Sequence, residues 1–262
     1  MAITAYPATK LGSSASAAAS RTAMALYGTA TYLFFLAVFV YTIGFVGGFV
    51  VPKHIENGRL VDPLRAVLVD VVLLALFAVQ HSVMARPAFK RWWTQIVPPA
   101  AERSTFVLCA SALLALIVWQ WRPLPGVVWE VQNPIGVAML RGLYFLGWGI
   151  VFYATFLIDH FELFGLRQAI GHALGWRTAP AQFTERSLYR VVRHPLMLGF
   201  LIAFWAAPVM SFGRLLFAGV ITAWVLLAIR IEESTLVETH GELYESYRRR
   251  VPALLPRLRW RS

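Results

Sequence analysis

Residues 193–233 read RHPLMLGFLIAFWAAPVMSFGRLLFAGVITAWVLLAIRIEE. Between Leu196 and Ile231 the only charges are Arg214 and Arg230. A bilayer's hydrocarbon core takes about 20 apolar residues as a helix, so this run is too long for one crossing. Pro208, Ser211 and Gly213 interrupt it midway. Their chemistry predicts a helix to about Val209, a tight turn, and a second helix from Arg214. Four further apolar runs precede it: Ala23–Val51, Leu64–Ala85, Thr105–Trp121 and Met139–Ile158. The first is too long for a signal-peptide core and ends in no small-residue cleavage site. The expected fold is all-α, a polytopic membrane bundle of five to six segments ending in a helical hairpin.

Composition agrees. Of the 262 residues, 58% are hydrophobic and 14% charged, against about half and a quarter in soluble domains. A net charge of +11 would suit nucleic acid, but the arginines lie between apolar runs. With the N-terminus inside and each run crossing once, 18 of the 24 Lys and Arg fall on the inner side. Lys53, Arg59, Arg65, Arg122, Arg141 and Arg214 remain outside. That bias orients a membrane protein with both termini cytoplasmic, and no nucleic-acid partner is expected. Trp92, Trp93, Trp119, Trp121, Trp129 and Trp176 fall near segment ends, as in an interfacial belt touching membrane lipids.

The chain divides into a disordered N-terminus (1–22), four spanning helices (23–158), and a loop, hairpin and tail (159–262) that meet as a cytoplasmic cap. Cys109 is the one cysteine, which excludes an intramolecular disulfide and a cysteine metal cluster. No HExxH, GxGxxG or phosphate-binding loop occurs, so neither a metal nor a soluble dinucleotide-type fold is expected.

Ionisable residues gather at both ends of the hairpin. Pro195 suits the first turn of a helix, which sets Arg193 and His194 beside free amides that favour anions. Glu232 and Glu233 end the second arm. If the hairpin folds back, these four meet at one membrane face, and a zwitterion suits them: its carboxylate to arginine and amides, its ammonium to a glutamate. A second group is Thr155, Asp159 and Glu162, spaced to share one helical face, with His160 beside them. Gln80 and His81 give the second helix a similar polar end. An ionisable residue inside a membrane points to function by default.

Arg193-His194-Pro195, Gly199, the Glu232-Glu233 pair and the tail from Gly241 through Tyr244, Tyr247, Val251 and Pro252 resemble the isoprenylcysteine carboxyl methyltransferase and phospholipid methyltransferase superfamily. The resemblance covers about residues 185–256. Over Leu188–Pro256 the chain is most similar to the bacterial methanethiol S-methyltransferases of the NnrU-like branch. The resemblance implies a methyltransferase of the bacterial inner membrane that binds S-adenosylmethionine and methylates a small volatile thiol to dimethyl sulfide. It implies cofactor binding by His194, Gly199, Glu233 and Tyr247, with Arg193, Pro195, Glu232 and Arg250 beside them. Met197 departs from the superfamily, which usually has tyrosine there, so contacts at that position do not transfer. A thiol must lose its proton to attack, and a histidine backed by a carboxylate suits that task. His160 with Asp159 is the favoured pair, with Thr155 and His81 as further catalytic candidates. Two alternatives stay open: a phospholipid or isoprenylcysteine methyltransferase, and a non-enzymatic NnrU-like protein of nitrogen-oxide metabolism.

Overall fold

The computed structural model describes residues 15–176 and 185–256. Among the described residues, five helices are long and apolar enough to cross a membrane. They are α1 (Ala15–Gly47), α2 (Pro63–Met84), α4 (Pro99–Gln120), α5 (Pro134–Ile158) and α9 (Phe212–His240). Short helices lie between and after them: α3 (Pro87–Trp93), α6 (His160–Leu163), α7 (Leu166–Leu174), α8 (Pro195–Trp205) and α10 (Glu242–Arg250). Starts follow capping chemistry. Asp62 accepts the Leu64 and Arg65 amides ahead of Pro63, Asn133 accepts those of Ile135 and Gly136 ahead of Pro134, and Ser211 caps α9 through Arg214 N.

The shorter hairpin arm, α8, is 11 residues, or about 16 Å at 1.5 Å per residue, and cannot cross about 30 Å of hydrocarbon alone. The chain continues through Ala206–Pro208 into strand β2 (Val209–Ser211). This strand pairs antiparallel with β1 (Val127–Glu130) in the register Val127↔Ser211, Trp129↔Met210, Glu130↔Val209. The two-stranded ribbon is absent from the sequence expectation. It closes the face where α4 ends and α5 begins, together with the loop before α2. There the Trp121 indole donates to Ile55 O (3.0 Å) and buried Arg214 pairs with Glu56 (2.5 Å). At the opposite face α2 and α5 end and α8 begins.

Two boundaries differ from expectation. α4 begins at Pro99 rather than Thr105, drawing Glu102 and Arg103 into a buried helical turn. The helix expected to run past Asp159 stops there, because Asp159 takes φ +123° and caps α6. The disordered N-terminus expected for residues 1–22 falls partly outside the described residues, and Ala15–Thr22 are helical.

α5 and α8 cross at backbone contact. A Cβ on Gly147 would lie 2.6 Å from Gly199 O and Ala203 N, and one on Gly199 would lie 2.7 Å from Gly147 O. This closeness lets Trp148, Phe200 and Phe204 interlock, with ring centroids 5.6–5.9 Å apart. Gly147→Val is expected to cost about 1–3 kcal/mol of stability, as overpacking does, read as a lowered unfolding midpoint in detergent.

Candidate active site

The backbone of the loop before α8 is tied to the tail. Arg193 N donates to Pro252 O (2.9 Å) and His194 N to Ala253 O (3.1 Å). Around this joint six of the eight residues named for cofactor binding gather: Arg193, His194, Glu232, Glu233, Tyr247 and Arg250. Glu233 Oε1 is the hub. It accepts from Arg193 Nε (2.8 Å) and Nη2 (2.6 Å) and from His194 Nε2 (3.0 Å). Arg193 also donates through Nη1 to Arg248 O (3.0 Å) and to Val251 O. Its guanidinium thus fastens the last turn of α10 to α9.

Four of the five Arg193 N–H donors are taken by Glu233 and two carbonyls, which leaves one Nη2–H for a ligand carboxylate. Tyr247 is likewise engaged: its hydroxyl donates to Tyr189 O at 2.6 Å. Burial pushes the Tyr247 phenol up to about 12 and raises those of Tyr189 and Tyr244, keeping all three neutral donors. Arg250 pairs with Glu185 (2.9 Å) at the edge of the cluster. Pro195 is buried as the first residue of α8. Gly199 sits one turn deeper, in the contact with α5.

What stays open is specific. His194 precedes α8 without a side-chain cap, so the amides of Leu196 and Met197 retain the donor capacity of a helix start. Glu232 is the more exposed carboxylate, at 38% against 13% for Glu233. It faces His194 Nδ1 at 3.8 Å. His194 Nε2 is held at Glu233, which leaves Glu232 as the carboxylate open to an ammonium N–H.

The second constellation forms differently than the spacing implied. His160 is 5% exposed and lies flat on Phe156 (centroids 4.4 Å, 7°). Its Nδ1 meets Thr155 Oγ1 at 2.8 Å and its Nε2 meets Tyr32 OH at 2.8 Å. Thr155 donates to Phe152 O (2.7 Å), so it accepts from Nδ1–H, and the Nε2 lone pair accepts the tyrosine proton. Burial lowers the His160 pKa, in keeping with this neutral ring. Asp159 is not its partner. The helix break turns that carboxylate onto Glu162 N (3.1 Å) and into an ion pair with Arg167. Tyr32, 128 residues away on α1, had no local signal to single it out.

His81 lies among Phe77, Phe106 and Trp224, with centroids at 5.5, 4.9 and 5.4 Å. Its Nδ1 is buried and meets no hydrogen-bond partner among the described residues. Trp224 stands on α9 eight residues before Glu232, about 12 Å along the axis at 1.5 Å per residue. Phe106 joins this group to Phe35 and Phe164, and Phe164 meets His160 (4.9 Å). Tyr153 OH, on α5, bonds Ser187 Oγ at 3.0 Å, tying the His160 helix to the loop that carries Arg193. The groups therefore line one apolar region at one end of the bundle. Among the described residues, no three His, Cys, Asp or Glu side chains group as a metal site.

The chain is 52% identical to a methanethiol S-methyltransferase of Mycobacterium tuberculosis over 234 residues, 88% of this chain and 95% of that protein. It is 51% identical to methanethiol S-methyltransferase 1 of Bradyrhizobium diazoefficiens, across 90% of this chain and 82% of that protein. A more distant similarity, 31% identity, covers 66% of this chain and 69% of Nurim from Sus scrofa. No protein-family model matches the chain, and no solved structure does.

Proposed function

The chain belongs to the methanethiol S-methyltransferase family, and from that premise we propose that it moves a methyl group from S-adenosylmethionine to the sulfur of methanethiol, releasing dimethyl sulfide. The observation that carries the reading is the identity to relatives of that name along nearly the whole chain. Those names do not favour a lipid or prenylcysteine substrate, nor a non-enzymatic role. The inner-side excess of basic residues supports placing the site at the cytoplasmic face of a bacterial inner membrane.

The residues present suit the donor's amino-acid end. Glu232 would hold its ammonium, with His194 beside it, and the Leu196 and Met197 amides its carboxylate. Arg193, Glu233, Tyr247 and Arg250 act as positioning residues that keep α10 against them. When bound, S-adenosylmethionine supplies an electrophilic methyl group. The chain must bring a thiol to it and remove the thiol's proton. A base needs an open lone pair. His160 has both nitrogens engaged, so we assign it, with Thr155, to holding α1 against α5, while Asp159 holds α6. His81 offers the unpartnered nitrogen and is the proposed base.

Purified full-length protein given S-adenosylmethionine and thiols from methanethiol to prenylcysteine is expected to release dimethyl sulfide from the smallest thiol and to leave the prenylated one unchanged. Preferential methylation of prenylcysteine would overturn the substrate assignment. An absence of S-adenosylmethionine binding by calorimetry would overturn the donor assignment.

A further inference from the structure

We infer that Arg103 and His81 together form the pocket for the substrate's sulfur, with the Arg103 guanidinium holding the thiolate that His81 creates. The inference rests on the thiol reading above and assigns a residue that no motif marks.

Arg103 is 7% exposed, in the second turn of α4. A buried cation normally has a carboxylate against it. Here no carboxylate of the described residues reaches ion-pair distance. Glu102, its neighbour in sequence, pairs instead with Lys90 on α3 (3.6 Å). Glu102 and, on α6, Glu162 contribute their fields without direct contact. Of five guanidinium N–H donors, one is bonded among the described residues: Nε donates to Leu163 O at 2.6 Å. The cation lies 4.9 Å from the centre of the Phe106 ring.

The same ring meets His81, with centroids 4.9 Å apart. An unspent cation and an unpartnered imidazole nitrogen thus share one aromatic neighbour, in surroundings otherwise apolar: Phe35, Met84, Val107 and Phe164. A buried polar atom left unsatisfied, as His81 Nδ1 is, requires an explanation. A small alkyl thiol supplies one, since its methyl packs on the rings and its sulfur has both a proton to give and a charge to be held. The S–H bond breaks, the electron pair stays on sulfur, and the proton goes to His81 Nδ1. The guanidinium then faces a thiolate, a direct counter-charge added to the more distant fields of Glu102 and Glu162. The groups that set this field are His81 from α2, Lys90 from α3, Glu102 beside Arg103, and Glu162 from α6.

Arg103 could instead serve only as the clamp between α4 and α6, and the test separates the two roles. Full-length protein without methyl donor is titrated with carbon-13 methanethiol near neutral pH and followed by NMR. The wild type and Arg103→Lys are expected to shift the bound methyl toward the thiolate position, and Arg103→Gln to leave it at the thiol position. With S-adenosylmethionine present, Arg103→Gln is expected to lose about 100-fold in turnover of methanethiol, as for removal of one charge-stabilising donor. The loss should shrink below about tenfold for the more acidic trifluoroethanethiol, which needs less help to ionise. Donor binding should be unchanged. Equal losses with both thiols, or an unshifted methyl in the wild type, would overturn the inference. So would Arg103→Lys losing the thiolate shift as fully as Arg103→Gln while still binding donor. A thiolate shift in a protein that methylates no thiol would leave the Arg103 site standing and defeat the functional reading.

Discussion

Glu233→Ala is expected to abolish S-adenosylmethionine binding and to release α10 from the bundle. Glu233 Oε1 gathers three donors from Arg193 and His194, and both partners are largely buried, at 10% and 6% side-chain exposure. Removing the carboxylate leaves a buried guanidinium without its counter-charge, a change that costs about 3–5 kcal/mol. Arg193 is also what fastens Arg248 O and Val251 O, so the disturbance passes directly to the end of α10. Hydrogen exchange should show residues 242–250 losing protection while the spanning helices keep theirs, and calorimetry should show no heat on adding the donor. A double variant with Arg193→Ala should be less damaged than the sum of the two singles, because the orphaned charge is gone. Full donor affinity in Glu233→Ala would show that the hub does not organise the site.

The membrane architecture was legible because it rests on long apolar runs, breaker residues and the placement of arginine, all of them local signals. The same holds for the hairpin cluster: Arg193-His194-Pro195 and Glu232-Glu233 mark both ends of one apolar region, and folding it brings them together. Roles within the cluster were less legible. Whether Arg193 meets a ligand or its own chain depends on where α10 ends, and Arg248 O and Val251 O carry no mark in the sequence. The approach of Gly199 to the backbone of α5 likewise depends on Gly147 and Val151, far away in the sequence. Asp159 shows a different limit. Spacings of four and three place Thr155, Asp159 and Glu162 on one face only if the helix continues; at Asp159 it stops, the carboxylate turns onto Glu162 N, and Thr155 meets His160. Arg103 and Tyr32 carry no local mark for another reason: Arg103 donates to Leu163 O and Tyr32 meets His160, each at least 60 residues away, and single-sequence periodicity contains no such pairing.

His81→Ala is expected to lower turnover by about 100- to 10,000-fold, the range for losing a general base, with donor binding intact. The argument turns on lone pairs. His160 is the more obvious histidine, beside a carboxylate at a helix end, yet its Nε2 already accepts from Tyr32 and its Nδ1 is held by Thr155. Drawing a proton onto it would first require breaking the Tyr32 bond. His81 Nδ1 has no such bond to break, and its aromatic surroundings keep out water that would compete for the proton. The two histidines therefore separate by experiment. His160→Gln should weaken the contact between α1 and α5, lowering the unfolding midpoint while the assembled fraction keeps most of its turnover. His81→Ala should keep the midpoint within a few degrees and lose the chemistry. Exogenous imidazole is expected to restore part of the activity of His81→Ala, because the cavity left by the ring lies among Phe77, Phe106 and Trp224. Rescue of a His160 variant instead, with His81→Ala fully active, would move the base to α6 and make the Tyr32 contact a proton path.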